Sequence, residues 1–125
     1  MMKIFFSIVL VLSLLTEVMA AVSLIAGPGG IQEPGLGNQW TMHYGFAAFA
    51  IASLSIWTWP YRSELPAVTL ALGVLMTFHT GLAISLTVAG DQQAGMVIHS
   101  VLAVLSIVLF TQRRRWCESK ELINE

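Results

Sequence analysis

Met76–Ser100 reads M-T-F-H-T-G-L-A-I-S-L-T-V-A-G-D-Q-Q-A-G-M-V-I-H-S. Uncharged residues on both flanks, with Gly90, Asp91, Gln92 and Gln93 between them, make this stretch the end of one apolar helix, a short polar turn and the start of the next. A histidine stands on each arm, His79 and His99. The hairpin therefore decides two things at once: the chain is all-α, and its chemistry belongs inside a membrane.

Composition supports that class. Of 125 residues 56% are hydrophobic and only 10% charged, and the mean hydropathy is +0.76, values that leave a soluble domain of this size short of polar surface. The length leaves room for one domain. The net charge of −1 hides an asymmetry, because Arg113, Arg114 and Arg115 stand together at the end of an apolar segment. Such a cluster is a topology signal and not a nucleic-acid surface. Cys117 is the single cysteine, so no intramolecular disulfide and no Cys-x-x-Cys motif exists; beside the arginines it is read as a reduced thiol, open to juxtamembrane acylation or simply inert.

Working outward from the hairpin, four spans are predicted, over residues 4–26, 40–59, 66–88 and 94–112, followed by a polar tail over 113–125. The first also resembles a signal peptide with Val18-Met19-Ala20 as a cleavage site, but hydrophobicity continues to Ala26, which favours a retained helix. Gly27–Gln39 holds five glycines and two prolines and is read as an external loop able to fold over the end of the bundle; it lacks the Lys-Ser/Thr of a phosphate loop. Pro60 to Pro66 is a tight polar connection. Lys3, Arg62, Arg113–Arg115 and Lys120 fall on one side, so both termini are expected in the cytoplasm and the chain in the inner (plasma) membrane as an up-down four-helix bundle. Trp40 and Tyr44 would mark the outer interface, and Trp57, Trp59, Tyr61 and Trp116 the inner one.

Small residues repeat at helical spacing on two spans: Thr69, Gly73, Thr77 and Gly81 on the third, Ala48, Ala52 and Ser55 on the second. Close backbone approach drives helix association in lipid. Since both stripes lie opposite the histidine face of their helix, they are expected to pack a second protein or a second copy, giving a homo-oligomer or a larger membrane complex.

Four ionisable side chains fall within the spans, Glu17, His43, His79 and His99. Such groups are costly in hydrocarbon and mark function by default. Counted from the external loops at a rise of about 1.5 Å per residue, Glu17 and His79 lie roughly 15 Å deep, and His43 and His99 roughly 5–7 Å deep. Two tiers follow: Glu17 with His79 as a proton relay, and His43 with His99 as ligands of a haem or a metal ion. Interfacial decoration and simple interhelical hydrogen bonding are the competing readings. No motif supports nucleophilic catalysis, and none names a reaction.

In its size, four spans, cytoplasmic termini, the polar residue Glu17 in the first helix and the glycine-rich first external loop, the chain resembles the small bacterial membrane proteins grouped as DoxX-like. The resemblance covers most of the length and implies a redox context, quinone-linked or concerned with thiol stress. Two functions follow as expectations: a redox-associated membrane protein that relays protons, meets a quinone or ligates haem or metal, or a non-catalytic accessory subunit of a larger complex.

Overall fold

A computed structural model describes residues 1–26, 39–90 and 92–117. The described residues are all-helical, with four α-helices: α1 Met2–Ala26, α2 Gln39–Thr58, α3 Leu65–Ala89 and α4 Gln93–Gln112. Each agrees with a predicted span to within two residues at either end. Short 3₁₀ turns follow α2 at Trp59–Tyr61 and α4 at Arg113–Arg115. Three of the helices, α1, α3 and α4, are long and apolar enough to cross a membrane. Most of the expected glycine-rich loop, the side chain of Trp40, Asp91 and the tail beyond Cys117 lie outside the described residues.

The connections form where the sequence punctuates itself. Between α2 and α3 the Glu64 amide donates to the Tyr61 carbonyl, Pro66 occupies the first turn of α3, where its missing N–H costs nothing, and the Arg62 guanidinium donates to the Trp59 carbonyl and lies over its ring. At the other end of α3, Gly90 takes φ +73° and its amide donates to the Leu86 carbonyl, a left-handed cap that a Cβ would strain. This cap turns the chain into α4 within three residues.

Contacts divide the chain into two units, one joining Met1–Val9 to the chain from Thr58 onward, the other Leu10–Trp57. In the first, α3 and α4 pack against each other as an antiparallel hairpin. The buried face of α3 is Val68, Ala71, Leu72, Leu75 and His79; that of α4 is His99, Leu102, Ala103, Ser106 and Leu109. Both follow the three-and-four spacing of one helix face. Phe6, at the start of α1, packs on Trp116, just past α4, with ring centres 5.4 Å apart. The beginning of α1, the beginning of α3 and the end of α4 therefore share one end of this unit, and Lys3, Arg62 and Arg113–Arg115 share it with them.

In the second unit α2 approaches α1 closely at Gly45. A Cβ there would come within 2.7 Å of Ile25 Cγ1 and 3.2 Å of Leu24 Cβ. Ala48, Ala52 and Ser55 continue the same face and are buried, while Phe46, Phe49, Ile56 and Trp57 are exposed. The small residues of α2, Ala48 and Ala52 among them, are thus buried within the chain. On α3 the stripe does open outward: Gly73 is half-buried, Thr77 and Gly81 are exposed, and a Cβ on either glycine meets nothing within 4 Å.

The exposed surface is what a hydrocarbon environment demands. Ile4, Leu15, Met19, Leu70, Val88 and Val104 are among many large apolar side chains more than half exposed. Exposed hydroxyls return to their own helix: Ser53 to the Ala50 carbonyl, Thr77 to Gly73, Thr87 to Ala83 and Thr111 to Val108. Without water, that is how a helix satisfies a surface hydroxyl.

Candidate functional site

Among the described residues, three ionisable side chains are buried: Glu17, His79 and His99. Glu17 lies on the buried face of α1, one turn from Ser13 and one from Ala21. His43 is exposed on α2, in the same unit as Glu17. His79 and His99 belong to the hairpin unit, and there the two meet.

Each histidine closes the buried stripe of its helix at the end nearest the turn. His79 is the last buried residue of α3 and His99 the first of α4. Their Nδ1 atoms are 2.9 Å apart, and His79 is fully buried while His99 is 5% exposed. Toward the turn the helices are drawn together by Gly95, where a Cβ would stand 3.2 Å from Leu86 Cδ1. Beside the pair, the Phe78 ring presents edge-to-face contacts to both imidazoles, with centres 5.3 Å from His79 and 6.3 Å from His99. Such contacts hold ring orientation as well as adding dispersion.

This pairing corrects the two-tier depth assignment. Leu86 opposite Gly95 and Thr69 bonded to Arg113 set the hairpin register, in which position 79 faces approximately position 102. His99 is three residues nearer the turn, a stagger of about 4.5 Å at the usual helical rise. Two imidazoles reaching toward each other span that offset. Depths counted along the helix axes leave out the reach of the two imidazole side chains, which closes this offset.

The geometry identifies the kind of contact. The ring centres are 5.2 Å apart, 2.3 Å more than the Nδ1–Nδ1 distance, with 32° between the planes. Twice the centre-to-vertex radius of a five-membered ring, about 1.1 Å each way, accounts for that excess, so both nitrogens lie on the line between the centres. One lone pair faces one N–H head-on. The pair as it stands is a hydrogen bond.

A bond between two Nδ1 atoms also fixes chemistry. One ring must carry its proton on Nδ1 and the other must leave Nδ1 bare, so two neutral rings are held in opposite tautomers. The outward nitrogens then differ: Nε2 of the donor ring is an acceptor, and Nε2 of the acceptor ring carries a proton.

Sequence reasoning missed two residues that shape this region. Phe78 precedes His79 directly, and only the packing reveals that it touches both rings. Arg113, read as one of three equivalent charges, instead donates from Nε to the Thr69 hydroxyl and from Nη1 to the Phe110 carbonyl, with its guanidinium 3.7 Å over the Phe110 ring. It sits nearest the end of α4, and that position was the available signal. Compared with protein-family models, with curated proteins and with solved structures, the chain matches none.

Proposed function

We propose that this chain is a small integral membrane protein whose His79–His99 pair relays protons in support of membrane redox chemistry. The observation that carries the reading is the in-line Nδ1–Nδ1 bond between two buried imidazoles on helices apolar enough to cross a membrane. A proton taken up at the bare Nε2 of the donor ring makes that ring an imidazolium. Its Nδ1 proton passes along the bond to the facing Nδ1, and the second ring releases its own Nε2 proton. One proton enters and one leaves. Both tautomers are then reversed, so the pair accepts the next proton from the opposite side, and repeated transfer in one direction requires the Nε2 protons as well as the bonding proton to be exchanged back.

Glu17 joins this reading through its burial and chemistry: it is the one buried carboxylate among the described residues, on a helix of membrane-spanning length. We assign it proton exchange at the level of the bilayer that its position along α1 implies. The DoxX-like resemblance supplies the redox setting. We further take α2 as a fourth span, since its 20 residues carry no Asp, Glu, Lys or Arg, and take the basic end as cytoplasmic, which places both termini inside.

Purified protein in liposomes with an entrapped pH-sensitive dye tests the relay. An imposed potential should drive proton entry that falls by about 10²-fold in His79→Ala and in His99→Ala. Entry through His79→Ala/His99→Ala that equals wild type would overturn the assignment.

A further inference from the structure

The outward stripe of α3 is the wall of a groove. The groove is shallow and open to the surroundings, with about 670 Å³ of space along Thr69, Leu70, Gly73, Thr77, Phe78 and Phe110. Gly73 leaves open space on this wall, where a Cβ would meet nothing within 4 Å. The two hydroxyls on its wall are engaged, Thr77 with the Gly73 carbonyl and Thr69 with Arg113, so what the groove offers is almost wholly apolar. Where α4 ends, Arg113 stands fixed over Phe110, and Arg114 and Arg115 beside it are exposed. An apolar trough that runs to a cationic rim fits an amphiphile with a long hydrocarbon chain and an anionic head.

We propose that the groove seats one acyl chain of an anionic phospholipid, with the phosphate held at Arg113–Arg115. Charge complementarity selects this occupant. A second copy laid parallel on the same face would bring its own three arginines to the same level, an arrangement that like charges oppose. The held guanidinium of Arg113 lowers the ordering cost of binding a phosphate. A chain in the groove lies against Phe78, whose ring packs edge-to-face with both histidines, so the lipid borders the hydrogen-bonded pair without being part of it.

Native mass spectrometry of the full chain, released from bilayers of equal phosphatidylglycerol and phosphatidylcholine, reads the occupant directly. One phosphatidylglycerol per chain should be retained in preference to phosphatidylcholine. Retention should fall about fivefold in Arg113→Gln, the factor expected for one arginine at a membrane surface. Arg113→Lys should keep part of it. Gly73→Leu, which fills open space and leaves helicity by circular dichroism unchanged, should abolish it. Equal retention of the two lipids, or retention that survives Gly73→Leu, overturns the site. So does a dimer mass that disappears with Gly73→Leu, which would give the groove to a second copy. Lipid counting needs no proton movement, so this inference and the relay stand or fall separately.

Discussion

The second and third helices carry similar rows of small residues and use them in opposite directions. Gly45, Ala48, Ala52 and Ser55 are buried, and at Gly45 the backbone of α2 comes so close to α1 that a methyl group has no room. Gly73, Thr77 and Gly81 look outward, with open space over both glycines. The difference lies in what occupies the rest of each helix. Large side chains on α2, among them Phe46, Phe49 and Trp57, are left outside, and the small face goes in. On α3 the buried positions are taken by Val68, Leu72, Leu75 and His79, which leaves the small face out. A row of small residues thus states that something can come close, and the competing face decides what does.

The strongest way to break that contrast is to put the same side chain on both rows. Gly45→Leu collides with Ile25 and crowds Leu24, and should destabilise by about 3 kcal/mol, the upper end for overpacking. Gly73→Leu should change stability by well under about 1 kcal/mol, as an open surface position allows. Reversible unfolding of both variants in mixed micelles measures the difference. Equal losses would mean that the two rows are packed alike.

Within α3 the inward face can be sharpened in the same manner. His79→Leu leaves the Nδ1 of His99 without its bonding partner in a buried seam, at a cost of about 1–3 kcal/mol. Removing both rings in His79→Leu/His99→Leu should cost less than the two single changes added together, since no half-pair is left behind. A double-mutant cycle with no coupling would show that the 2.9 Å contact contributes nothing. Nitrogen NMR of the labelled wild type supplies a second measure: one Nδ1 should be protonated and the other bare.

Much of this was written in the sequence, and the part that was not has a physical reason. The all-helical class and the helix limits follow from hydrophobic runs broken by Gly90 and by the Pro60–Pro66 segment, because these residues act locally on the backbone. Glu17 and His79 were legible as candidates because an ionisable group in an apolar span needs a reason, and both are buried. His43 met the same criterion and is exposed, since a position near a helix end can turn its side chain outward at little cost. The meeting of His79 with His99 was not legible from depth alone. It depends on the register of the hairpin, which the turn at Gly90 and the close approach at Gly95 set together. The direction of a small-residue row was equally hidden, since periodicity defines a face without naming its neighbour.

The smallest expected effect separates two threonines on the outward row. Thr69 and Thr77 are two helical turns apart, yet Thr69 accepts a bond from Arg113 Nε at 2.9 Å, whereas Thr77 donates to the Gly73 carbonyl of its own helix, also at 2.9 Å. Thr69→Val removes a charge-assisted bond that fixes the end of α4 to the start of α3, and should cost about 1 kcal/mol. Thr77→Val removes a hydroxyl bonded to a carbonyl that the helix already satisfies, and should be neutral within about 0.5 kcal/mol. If the two valines proved equal, Arg113 would gain nothing from Thr69, and the outward row would be uniform along its length. If they differ, the row has two parts, a basic end tied to α4 and an open middle, which is the division that the groove along it requires.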